Sequence, residues 1–209
     1  MENEDALRVI HALRLKSFAD TPIVAEAAGL DEARAKTVLD GLAESEFVKY
    51  REGRMTGWML AKEGRAHGEA LLAAQLDGAG KRSELDAIYR RFLEHNQPFL
   101  GLCTEWQVRT VDGEQVPNDH SDAEYDAMII GRLADADAEM QPICADLGAL
   151  FDRFGHYGSS FADALAKVQS GDTDWFTKPM IESYHTVWFE LHEDLLASLG
   201  IDRAKEGHA

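Results

Sequence analysis

The chain has 209 residues, compatible with one or two domains and long enough for a real core, and its 45% hydrophobic and 28% charged residues are those of an ordinary globular protein. No run of about 18 apolar residues is present to cross a bilayer, and the acidic start lacks the basic and apolar regions of a secretory signal, so a cytoplasmic protein with no membrane partner is expected. The formal net charge is −17, and it is unevenly spread: residues 1–82 hold 12 Lys and Arg against 14 Asp and Glu, whereas residues 83–209 hold 9 against 24.

The first helix is marked by Leu7, Ile10, Leu13, Leu15 and Phe18, apolar positions that recur at mostly helical spacing. Pro22 suits the first turn of a short second helix over Ile23–Ala28, and Gly29 closes it. Asp31 is placed to cap a third helix in which Ala35, Val38, Leu39 and Leu42 recur at three and four residues, ending near Ser45. Phe47-Val48-Lys49-Tyr50 and Trp58-Met59-Leu60, separated by Glu52-Gly53-Arg54 and Gly57, read as two short strands around a turn. A further helix carrying Leu71, Leu72 and Leu76 leaves the hairpin, and a boundary is expected near Gly78-Ala79-Gly80.

This order of helix, helix, helix, hairpin, helix, together with the string Trp58-Met59-Leu60-Ala61-Lys62-Glu63-Gly64-Arg65, resembles the winged helix-turn-helix of MarR-like transcription regulators. In that class a threonine usually stands where this chain has Ala61. The resemblance covers the first third of the chain and implies that the helix from Asp31 to Ala43 enters the major groove of double-stranded DNA while the hairpin touches the flanking backbone. Arg34, Lys36 and Thr37 on that helix, and Arg51 and Arg54 on the hairpin, are then the expected DNA contacts, to phosphates, a guanine edge or the minor groove. Asp31, Glu32 and Asp40 put negative charge on or beside the same surface, which equally suits a winged helix that binds protein. The acidic second part would be repelled by phosphate, so any DNA contact belongs to the N-terminal part, with modest and steeply salt-dependent affinity.

Beyond the boundary the chain reads as helical throughout. Ser83 begins a helix with the stripe Leu85, Ile88, Tyr89, Phe92 and Leu93, and Pro98 starts another with Phe99, Leu102, Cys103 and Trp106 on one side. Turns and a loop are expected from Thr110 to His120, followed by a capping box at Ser121-Asp122-Ala123-Glu124. A long helix follows, with Pro142 kinking or splitting it and Gly155 ending its apolar face. Ser159 or Ser160 caps a shorter helix through Val168, and a last helix runs from about Pro179 to Leu199 with apolar residues around most of its circumference. Such a helix belongs at the centre of a bundle or in a dimer interface.

The last helix, so drawn, places Glu182, His185 and His192 on one side beside Trp188. With Trp106, His156 and Tyr157 these form a candidate pocket for a small-molecule effector; helical spacing is equally that of plain core. Glu182 and His185 have the Glu-x-x-His spacing of di-iron bundles, but no second copy exists, so no metal or cofactor is expected. Cys103 and Cys144 lack CxxC spacing and are expected as reduced, buried thiols. A phosphate loop, a GxSxG elbow and an HExxH motif are all missing, and no catalytic residue is assigned.

The expected fold is therefore mainly α: a winged helix-turn-helix over residues 1–78, then an acidic, all-α helical bundle over residues 79–209. The expected function is a homodimeric DNA-binding regulator whose second domain dimerises and senses an effector, not an enzyme. Two rivals stand beside it: a winged-helix protein-interaction module that binds no DNA, and a metal- or heme-binding helical protein using His185 and His192.

Overall fold

A computed structural model describes residues 2–111 and 113–202. It is mainly helical, and the strands of the described residues form two antiparallel hairpins. Two compact units emerge: one comprises the residues up to Arg82 together with the segment from Glu193 onward, the other Ser83–His192.

The first unit opens with α1 (Glu2–Lys16), α2 (Thr21–Ala28) and α3 (Glu32–Glu44). Its boundaries are set by local chemistry. Asp20 accepts a hydrogen bond from the Ile23 amide with Pro22 in the first turn, Gly29 closes α2 at φ 63°, and Asp31 accepts from the Arg34 amide. The hairpin follows as β1 (Val48–Arg51) and β2 (Gly57–Leu60), in a register that opposes Val48 to Leu60 and Tyr50 to Trp58. Trp58 ties the hairpin to the helices. Its amide donates to the Ala19 carbonyl at 2.7 Å, its carbonyl accepts from the Ala19 amide at 3.1 Å, and its indole N–H donates to Thr21 Oγ1. Val9, Ile10, Leu13, Val24, Leu39 and Trp58 close over one another as the core.

Then comes α4 (Lys62–Gly78), whose N-cap position, Ala61, makes no side-chain hydrogen bond. Against a Thr or Ser there, the loss is about 0.5–2 kcal/mol. Close packing compensates. The Phe47 carbonyl, which accepts from the Ala61 amide, sits 1.9 Å from where a Cβ on Gly64 would lie, and Ile10 Cγ2 sits 2.4 Å from a Cβ on Gly68. Only glycine lets α4 approach that near.

The unit is completed from far along the chain. In α9 (Tyr184–Leu199) the residues from Glu193 onward belong here. Ala197 packs on Leu7 and Leu72, His11 Nε2 lies 3.0 Å from Asp194 Oδ1, and Arg14 reaches both Glu69 and Glu193. A single cut between residues 78 and 79 therefore does not describe the units, because these contacts return residues from 193 onward to the first of them.

The second unit contains α5 (Arg82–Gln107), α6 (Ala123–Leu150), α7 (Tyr157–Gln169), the short α8 (Asp174–Thr177) and the first turns of α9. Pro98 does not start a helix: α5 runs through it for 26 residues. An internal proline costs about 3 kcal/mol. Phe92, Phe99, Leu102 and Trp106, all buried on the stripe that straddles it, outweigh that at about 1.5–3 kcal/mol each. Likewise α6 continues through Pro142. Its cap is Asp122, accepting from the Tyr125 amide, while Ser121 hydrogen-bonds Asp119 instead of forming the expected capping box. The second part is also not purely helical. Strands β3 (Val108–Val111) and β4 (Glu114–Pro117) pair across Gly113, at φ 87°, where turns and a loop were expected. Finally, α7 begins two residues before Ser159, and α9 begins at Tyr184, leaving Pro179–Ser183 and thus Glu182 outside the helix.

Gly64→Ala is expected to destabilise the protein by about 1–3 kcal/mol or more, since backbone must move to admit the methyl. Gly41→Ala, in open space on α3, is expected to stabilise it by up to about 1 kcal/mol. Urea unfolding of the two variants beside the parent chain checks both signs.

Candidate nucleic-acid interface and buried aromatic cluster

Helix α3 buries Ala35, Leu39 and Leu42 and turns Glu32, Ala33, Lys36, Thr37, Asp40 and Glu44 outward. The two cations expected to read DNA are already engaged. Arg34 crosses to α1, where its Nε and Nη2 stand 2.8 and 2.7 Å from Asp5 Oδ2. Lys36 Nζ lies 2.6 Å from both carboxylate oxygens of Asp40 one turn on, and 5.7 Å from the Trp58 ring centroid. Thr37 donates its hydroxyl to the Ala33 carbonyl, the usual back-bond of a helical threonine.

On the hairpin the situation differs. Lys49, Arg51 and Arg54 are exposed, and none of them enters an ion pair among the described residues. Tyr50, Met55 and Met59 are exposed beside them. Arg51 closes β1 opposite Gly57, and Arg54 follows Gly53, which at φ 138° adopts a backbone geometry that suits glycine.

The residues expected to line an effector pocket fall into separate groups. Trp188 stacks on Phe99 at 4.1 Å and meets Phe92 at 5.1 Å, with the rings of His192 on Phe92 and His185 on Phe99. Trp106, by contrast, packs against Phe176 and His120. His156 is exposed, with its Nδ1 2.9 Å from the Arg153 carbonyl and its ring on Tyr157, which is fully buried. Glu182 is exposed ahead of α9. Among the described residues no group of three His, Cys, Asp or Glu is arranged to hold a metal, and none of their helices is long and apolar enough to cross a membrane.

Sequence reasoning missed the polar partners of this core. Asn96 is buried and accepts the Trp188 indole N–H at 2.9 Å. Asp137, only 8% exposed, accepts from Tyr184 Oη at 3.2 Å and from the Gln141 amide, which also donates to the Gly158 carbonyl. Near the second hairpin, Asn118 donates to the Trp106 carbonyl and to Asp126, and Asp126 stands 3.0 Å from His120 Nδ1. The available signal was a polar residue on an otherwise apolar helical stripe, as at Asn96 and Asp137.

Burial decides the electrostatics of the cluster. It pushes the Asp137 carboxyl above its ordinary 3.8, although the hydrogen bonds from Gln141 and Tyr184 pull the other way. The Tyr184 phenol is raised by burial and by Asp137, and His185 is lowered by burial. Cys103 and Cys144, both free and buried, are pushed up to about 12, which leaves them as unreactive thiols.

Compared with protein-family models, curated proteins and solved structures, the chain matches none. The reading of its function therefore rests on its own residues.

Asp137 yields a signed expectation. Its folded-state pKa is raised, so its contribution to stability is greatest below 3.8 and falls as pH rises through the native value. The stability of the parent chain relative to Asp137→Asn is thus expected to drop over that interval, by about 1.4 kcal/mol for every pH unit between the unfolded and native values, then level off toward neutrality. Melting temperatures of both chains, from below pH 3.8 to neutrality, measure the difference.

Proposed function

We propose that the protein is a DNA-binding transcriptional regulator that engages duplex DNA through its first unit. The observation that carries this reading is the hairpin between α3 and α4, which presents Lys49, Arg51 and Arg54 exposed and, among the described residues, in no ion pair, in an otherwise acidic chain. A flexible cation without an internal partner is what a phosphate captures most readily, with release of condensed counterions. Three helices and a hairpin in this order are the layout in which one helix faces the major groove and the hairpin its flank. Thr37 and Lys36 lie on the outward face of that helix. The acidic second unit supplies no phosphate contact; its role in this reading is pairing of two copies and sensing of a small effector through the Trp188, His185 and His192 cluster. Pairing doubles the contacts and fixes the spacing of two half-sites. An effector acts by binding one arrangement of the paired copies better than another.

One observation favours a second reading. The outward face of α3 bears Glu32, Asp40 and Glu44, and its nearest cations already have carboxylate partners. A surface of that kind suits a protein partner with complementary positive charge.

Fluorescence anisotropy of the pure protein against the DNA upstream of its own gene, and against a scrambled duplex, at two salt concentrations separates the two. The DNA reading expects tighter binding to the upstream duplex, weakened by salt. Replacing Arg51 and Arg54 by Ala should shallow the dependence of log affinity on log salt by about 0.9 for each phosphate left without its cation. Absence of binding to either duplex selects the protein-interaction reading.

A further inference from the structure

Helix α3 holds a cation beside a carboxylate twice over, and the two pairs differ in origin. Arg34 is paired across helices: Asp5 is 29 residues away in sequence, on α1, with its side chain only 18% exposed, and takes both Nε and Nη2 of the guanidinium on one oxygen. Lys36 is paired within α3, its ammonium bridging both oxygens of Asp40. The hairpin cations Lys49, Arg51 and Arg54 have no such partner among the described residues. The acids near α3 are therefore not all alike: Glu32 also faces outward in the first turn, without an ion pair among the described residues.

A phosphate approaching α3 has to displace a carboxylate before it gains Arg34 or Lys36. The attraction it offers is Coulombic and sequence-independent, the same attraction that draws any polyanion. Carboxylates of the chain itself at 2.6–2.8 Å offset part of it at no cost in sequence recognition, because base edges are read by direction and not by net charge. We infer that Asp5 and Asp40 are affinity-setting residues of the DNA surface: they occupy Arg34 and Lys36 in the free protein and so suppress binding to arbitrary DNA, leaving the hairpin cations to make the first contact. This inference rests on the DNA reading above.

The test titrates a random-sequence duplex with the full chain and its variants Asp5→Asn, Asp40→Asn, Arg34→Ala and the double variant Asp5→Asn with Arg34→Ala. Glu32→Gln serves as the control for removing one negative charge without freeing a cation, and a thermal melt of each variant reports folding. Asp5→Asn and Asp40→Asn are each expected to tighten binding about two- to fivefold beyond Glu32→Gln, the range set by a surface ion pair. Each should also steepen the salt dependence by about 0.9. In the Arg34→Ala background the gain from Asp5→Asn should shrink to that of the control, since the residue it releases is gone. If Asp5→Asn and Asp40→Asn bind no tighter than Glu32→Gln while the parent chain binds DNA, the inference is overturned and the DNA reading stands. If no chain binds any duplex, including the two that free a cation, the DNA reading itself has failed.

Discussion

The arrangement of the first unit depends on two carboxylates that arrive from far down the chain. Asp194, 1% exposed, sits against His11, and Glu193 joins Glu69 in holding Arg14. Arg14, whose side chain is 9% exposed, has one of its two carboxylates from α9, so α1 and the last turns of α9 complete each other. Four elements of the unit, α2, α3, α4 and β2, pack against α1. The same helix carries Asp5, so the group that holds Arg34 is fixed by a helix that is itself fixed by Asp194 and Glu193.

Electrostatics at α3 thus differ from what its composition implies. Counting residues gives Arg34 and Lys36 as a positive pair on an amphipathic helix; in the folded chain both are neutralised locally. Among the described residues Lys49, Arg51 and Arg54 of the hairpin, a short antiparallel ribbon tied down at Trp58 through its backbone and indole, are exposed and enter no ion pair, and the same holds of Lys62 just beyond it. Outside the hairpin, residues 1–82 hold 9 Lys and Arg against 13 Asp and Glu, whereas the hairpin residues 48–60 hold 3 against 1.

Much of the first unit was legible because its signals are local. Pro22, Gly29 and Asp31 act on neighbours within four residues, and each marks an element end where it stands, whereas the Asp20 cap of α2 went unread. The Lys36 to Asp40 pair is likewise visible as a one-turn spacing. Asp5 to Arg34 and Arg14 to Glu193 are not, since 29 and 179 residues separate the partners and no period predicts them. In the second unit, Pro98 and Pro142 read as breaks because an isolated helix would break there; continuous burial on α5 and α6 overrides the local cost. The Val108–Pro117 hairpin carried a legible signal, Asp112-Gly113 between β-branched residues, but its exposed strands lack an apolar face to announce them. The aromatic set was found by type, whereas its grouping around Phe92 and Phe99 on one side and Phe176 on the other is a matter of packing that spacing does not encode.

The return of residues 193–199 to the first unit has a consequence for the order of events in the cell. A ribosome delivers α1 to α4 early, but the turns bearing Asp194 and Ala197 emerge only after the whole second unit has been made. At about 5–20 residues per second the wait is on the order of ten seconds, long against the folding of a helical unit. Throughout it Leu7 and Leu72 lack the Ala197 that covers them, and Arg14 lacks Glu193. The first unit is therefore completed last, although it is translated first, and a nascent chain halted midway lacks the turns that close it.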